Sequence, residues 1–217
     1  MTTIARTSAI MATLLAAGMA SAVALSITPA QAQSIIEDWA AVKAPAAPEL
    51  KPATVDPKTT ALLMLDFMKQ NCGQRPRCIA SVPAVKKLLD EARGAKATVI
   101  YSYFGKTTAA DILDPGLAPA SGESSVTSFA DKFLNTDLDK MLKDKGITTV
   151  IVTGTATNGA ILYTGSGAAL RGYNVIVPVD AVSSIDTYSE QFSVWQLANG
   201  PTFGQKVTLT KTGMIKF

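Results

Sequence analysis

Two rhythms of apolar positions alternate along this chain. The runs Thr60–Leu65, Ala97–Tyr103, Thr149–Val152 and Val175–Val177 are short, rich in β-branched residues and nearly free of charge, as strands buried on both faces are. Between them the spacing changes to that of helices. Val82, Val85, Leu88, Leu89 and Ala92 share one face of a helix predicted over Val82–Arg93, with Pro83 in its first turn. Ile161, Thr164, Ala168 and Arg171 mark another helical line, which Gly172 ends as a C-cap glycine does. Helices are also predicted over Asp137–Lys145, capped by Thr136, and over Thr187–Asn199.

The stretch from Gly146 to Ser184 reads strand, turn, helix, strand in about thirty residues, the length of a βαβ unit whose strands must run parallel. Strands near 61–66, 97–103, 126–128, 149–154, 174–179 and 206–210 then alternate with helices. The fold class expected is α/β, a three-layer αβα sandwich on a mostly parallel six-stranded sheet of Rossmann-like type. The turn from Gly154 to Ala160 falls at the carboxyl end of a strand and the amino end of a helix, where such sheets bind ligands.

Composition refines this outline. Residues 1–32 hold one charge, Arg6, an apolar run over 10–27 and an Ala30-Gln31-Ala32 cleavage site, the pattern of a secretory signal peptide. The protein is therefore expected in the periplasm or outside the cell, not held in a membrane once the leader is cut. Residues 33–57 form a Pro/Ala-rich arm expected to be extended, and 58–217 the domain. With 20 basic against 17 acidic residues and no basic run, nucleic acid is not an expected partner. The chain has no histidine, which removes Ser-His and Cys-His nucleophile pairs and makes an ordinary zinc site improbable; no cofactor or metal is expected.

The strand Thr60–Leu65 runs into Asp66, a carboxylate at the end of a buried strand. Partial desolvation would raise its pKa toward values useful for proton transfer; the other reading is a structural aspartate capping the next turn. The only cysteines, Cys72 and Cys78, are close in sequence in a chain that reads as exported, and an intramolecular disulfide follows. Arg75 and Arg77 lie between them, either at a pocket mouth that favours an anionic small molecule or in a solvated basic turn. The irregular segment Gly105–Ser125 is long for a compact domain.

Residues Gly146, Gly154, Thr157, Ile161, Thr164, Ala168, Gly172, Tyr173, Val175, Asp180 and Ala181 fall in a pattern that resembles the C-terminal signature of the isochorismatase-like, or cysteine hydrolase, family. The resemblance covers about residues 58–210 and implies the same sandwich architecture. It implies that Asp66 is the catalytic acid/base and that Gly105–Ser125 covers the pocket. It also implies that Thr155, Ala156, Thr157, Asn158 and Gly159 form the backbone turn of the pocket, with Thr155–Ala156 as the bond that is often cis.

Two positions depart from the pattern. Ala160 stands where the family usually has its nucleophilic cysteine, and the lysine position falls near Thr127. Lys132, about five residues on, is either a surface lysine or one that reaches the pocket by another route. Thiol-based amide hydrolysis is thus not expected, because an alanine methyl is no nucleophile. Two readings remain: a non-catalytic protein that binds a small molecule in the old pocket, and a hydrolase that needs only protonated Asp66 and water. The resemblance further implies a homo-oligomer.

Overall fold

The structure is a computed structural model that describes residues 34–217. The signal-peptide expectation therefore lies outside the described residues. The chain divides into two units, Met1–Pro45 and Ala46–Phe217. In the first, Ser34 to Val42 forms consecutive turns in which the Glu37 carboxylate accepts the Ser34 N–H and the Asp38 carbonyl accepts those of Ala41 and Val42. Trp39 is exposed there.

The second unit holds β1 (Ala53–Thr54), β2 (Thr60–Leu65), α1 (Pro76–Gly94), β3 (Thr98–Phe104), β4 (Ser124–Ser128), α2 (Leu138–Asp144), β5 (Thr149–Thr155), α3 (Leu162–Leu170), β6 (Asn174–Pro178), β7 (Val182–Ser183), α4 (Thr187–Asn199), β8 (Val207–Thr210) and β9 (Ile215–Lys216). The main sheet has the order β4-β3-β2-β5-β6-β8, and β7 adds a seventh strand by pairing with the end of β5. Every ladder in it is parallel. The six expected strands are all present. The seventh, and the small parallel β1–β9 pair, are two residues each and too short to show a hydrophobic rhythm.

Strand alternation divides the core in two. Leu63 and Leu65 of β2, with Val150 and Val152 of β5, face a layer that contains Leu138, Leu142, Ala168 and Leu197 from α2, α3 and α4. Leu62 and Met64, with Ile151 and Ile176, face Val85, Leu88, Leu89 and Ala92 of α1 on the other side. That gives the three layers. Gly154 shows how tightly the central strands meet. Its φ is +129°, and a Cβ there would stand 1.9 Å from the Leu65 carbonyl oxygen.

One expectation is corrected. The helix read from Val82 begins instead at Pro76, so Pro83 lies inside α1 and the true first-turn proline is Pro76. Within the arm read over residues 33–57, the Lys51 N–H donates to the Leu209 carbonyl, and β1 pairs with β9. Thr136 does assist α2, since its hydroxyl accepts the Leu138 N–H.

Candidate active site

β2 delivers Asp66 to the carboxyl edge of the sheet, where its backbone takes φ +59°. Aspartate tolerates this left-handed region better than most residues, and such conformations cluster at functional sites. The side chain is 3% exposed and accepts no backbone N–H among the described residues. Its Oδ1 accepts the Ser102 hydroxyl at 2.7 Å, and its Oδ2 accepts the Lys132 ammonium at 2.7 Å. Ser102 reaches it because β3 runs parallel to β2 with Ser102 beside Leu65.

Lys132 is therefore not a surface lysine. It is fully buried, while Thr127, the position the linear alignment favoured, is exposed on β4. After β4 the chain turns, and residues far away in sequence fix that turn. The Lys132 N–H donates to Thr164 Oγ1 of α3 at 3.1 Å, and its carbonyl accepts the Thr136 hydroxyl. Phe133, next in the chain, lies under the Arg171 guanidinium at 4.4 Å and stacks on Tyr173. Besides Asp66, the ammonium donates to the carbonyls of Ser128 at 3.3 Å and Phe129 at 2.5 Å. Its three N–H groups thus all have acceptors within the protein.

Burial pushes the Asp66 carboxyl above its ordinary value, against the opposing pull of Lys132, Ser102 and Arg75. Burial likewise pushes the Lys132 ammonium down, against the attraction of Asp66. Both shifts have one cause: each charge has left water and is held there mainly by the other.

The turn after β5 begins with a cis Thr155–Ala156 bond. Thr157–Ile161 forms a single π-helical turn that leads into α3. The Gly159 and Ile161 N–H groups donate to the Ala156 carbonyl, and Asn158 Oδ1 accepts the Ser184 hydroxyl. Ala160 is buried within this turn, 4% exposed. The hydroxyls of Thr157 and, on β7, Ser183 are buried and have no hydrogen-bond partner among the described residues.

Cys72 and Cys78 are joined by a disulfide. The two arginines inside its loop have different surroundings. Arg77 makes a two-pronged ion pair with Glu190 of α4, and Glu190 also accepts the Ser184 N–H. Arg75 is half-buried and donates to Thr155 Oγ1 at 3.2 Å. Among the described residues no group of three or more His, Cys, Asp or Glu side chains could hold a metal ion, and no helix is long and apolar enough to cross a membrane. A groove of about 450 Å³ at the β8 edge, lined by Pro48, Glu49, Trp195 and Gln205 among others, shares no residue with this site.

Ser102, Thr136 and Thr164 are the site residues that the sequence reading did not assign to it. The first left a faint signal, a polar residue in the otherwise apolar strand β3. Thr164 already belonged to the helical line of α3.

A parallel three-layer sandwich with a buried acid–lysine pair, beside a turn between strand and helix, defines a Rossmann-like α/β class of protein. The isochorismatase domain family matches residues 60–211, and the chain belongs to that family. It is 27% identical over 141 residues to a nicotinamidase from Acinetobacter baylyi, covering 63% of this chain and 66% of that enzyme. It is 30% identical over 165 residues to an uncharacterized isochorismatase family protein from Bacillus subtilis, covering 63% of this chain and 82% of the other. A secreted isochorismatase effector from Verticillium dahliae is 25% identical over 148 residues, covering 62% of this chain and 78% of the effector. Among solved structures, a cysteine hydrolase from Pseudomonas syringae superposes with a TM-score of 0.65 at 25% identity, over 77% of this chain and 95% of that one. An isochorismatase from Pseudomonas putida gives 0.66 at 21% identity, over 77% and 94%, and shares the fold.

Proposed function

We propose that this protein is an exported, thiol-free member of the isochorismatase family that binds a small molecule beside the Asp66–Lys132 pair and does not turn it over. The observation that carries this reading is Ala160, a buried methyl in the turn that the family resemblance aligns with its nucleophilic cysteine. The state of the ion pair supports it. Each ammonium hydrogen of Lys132 already has an acceptor, and each oxygen of Asp66 already has a donor. Export rests on the leader-like residues 1–32, and the name of the secreted relative from Verticillium dahliae is in keeping with it.

One observation favours a second reading, acid-catalysed hydrolysis without a nucleophile. Lys132 does reach Asp66, and burial raises that carboxyl, so two groups able to manage a proton stand together. A thermal-shift screen of the oxidised protein against small amides, acids and enol ethers, on wild type and Asp66→Asn, tests the proposal. At least one compound stabilises wild type and remains chemically unchanged after prolonged incubation. Failure of every compound to stabilise wild type, or consumption of the stabilising compound by wild type but not by Asp66→Asn, would overturn it.

A further inference from the structure

We infer that Arg75 is the ligand-recognition residue of this pocket and that the ligand carries a carboxylate or a similar planar oxyanion. The inference rests on the reading of the site as a small-molecule pocket and names the chemistry of its occupant.

Of the arginines in the disulfide loop, one lacks an ion-pair partner among the described residues. Asp66 is matched by Lys132, and Arg77 by Glu190. Among the described residues no carboxylate lies within ion-pair distance of Arg75, and the one hydrogen bond of its guanidinium is to a neutral hydroxyl, that of Thr155. A guanidinium has five N–H donors in a rigid fork, so most of this one remains unused although it is half-buried.

Its position is built. The Cys72–Cys78 bridge closes a short loop with Arg75 at its middle, and α1 starts directly after it. Thr155, which receives the guanidinium, is the last residue of β5 and donates in turn to the Ser183 carbonyl. Ser183 is the strand partner of Thr155, Thr157 follows it in the next turn, and the hydroxyls of both are buried without partners among the described residues. Arg75 is also close enough for its charge to oppose the upward shift of Asp66. The free fork therefore stands at the carboxyl edge of the sheet, held on Thr155 and near enough to Asp66 for its charge to act there.

A planar oxyanion matches such a fork by two parallel charge-assisted hydrogen bonds, whereas the corresponding amide matches it by only one acceptor oxygen. The test uses acid and amide pairs of equal shape, benzoate with benzamide and succinate with succinamide, titrated at low ionic strength into wild type, Arg75→Gln, Arg75→Lys and Asp66→Asn. Circular dichroism confirms that each variant is folded. Wild type is expected to bind the acids at least tenfold more tightly than the amides. Arg75→Gln abolishes that preference, and Arg75→Lys retains part of it. Equal binding of acid and amide by wild type, or an undiminished acid preference in Arg75→Gln, overturns the assignment. If acids and amides bind wild type alike, and Asp66→Asn binds neither, the pocket reading survives while the role of Arg75 fails. If neither acid nor amide binds wild type, both fail.

Discussion

Replacing Lys132 by Met removes the cation from a carboxylate whose side chain is 3% exposed. The unbranched side chain fills similar volume, so the change is chiefly electrostatic. Breaking a buried ion pair by deleting one partner costs about 3–5 kcal/mol, because the remaining charge is left without compensation. The Ser128 and Phe129 carbonyls lose their donor as well. For a domain of this size about 2–4 °C of Tm accompanies each kcal/mol, so the midpoint should fall by about 6–20 °C at neutral pH.

The deficit also depends on pH, with a definite sign. In wild type, burial raises Asp66 and Lys132 pulls it back; without Lys132 the upward shift grows. A carboxyl whose folded-state pKa lies above its unfolded value stabilises the fold fully below the unfolded value, near 3.8. That stability is lost as pH rises through the folded-state pKa. Lys132→Met should therefore be closest to wild type in acid and fall further behind as pH rises toward neutrality and beyond. Urea denaturation at about pH 5 and about pH 8 reads the difference. In a double-mutant cycle, adding Asp66→Asn should recover about 1–3 kcal/mol. A loss below about 1 kcal/mol that is the same at both pH values would refute the argument, since that is how an exposed pair behaves.

Reduction of Cys72–Cys78, or the paired Cys72→Ser and Cys78→Ser change, should cost about 2–3 kcal/mol in urea denaturation, the loop-closure entropy of so short a ring; an unchanged midpoint would show that the loop is held by other contacts. Gly154→Ala places a methyl group 1.9 Å from the Leu65 carbonyl oxygen at a φ of +129°, so β2 and β5 must separate. A loss of at least about 4 kcal/mol, or failure to recover soluble protein, is expected. A variant as stable as wild type would contradict the close strand packing.

The sheet was legible because β2, β5 and β6 are buried on both faces, and α4 spans Thr187–Asn199 as its spacing predicts. The start of α1 was not. Pro83 carries a first-turn signal, while the true first turn lies in the disulfide loop, where charged and polar residues hide the apolar period. Asp66 could be read from its place at a strand end. Lys132 could not, because its approach to Asp66 depends on Thr164, which holds its backbone from 32 positions away. Linear spacing from β4 pointed to Thr127, which faces outward. The difference between Arg75 and Arg77 was equally hidden, since it depends on Glu190, 113 positions from Arg77. With Lys132 bonded to Asp66, the resemblance implies one departure from the family pattern, Ala160, where linear spacing implied two.

The most direct test of the account is a proton NMR time course on the oxidised wild-type protein mixed with excess of the ligand that stabilises it most. Broadened ligand signals that persist without new resonances are the predicted result, and they would identify a binding protein. New product signals that grow with wild type and are absent with Asp66→Asn would contradict it, and would make Asp66 the acid of a working hydrolase.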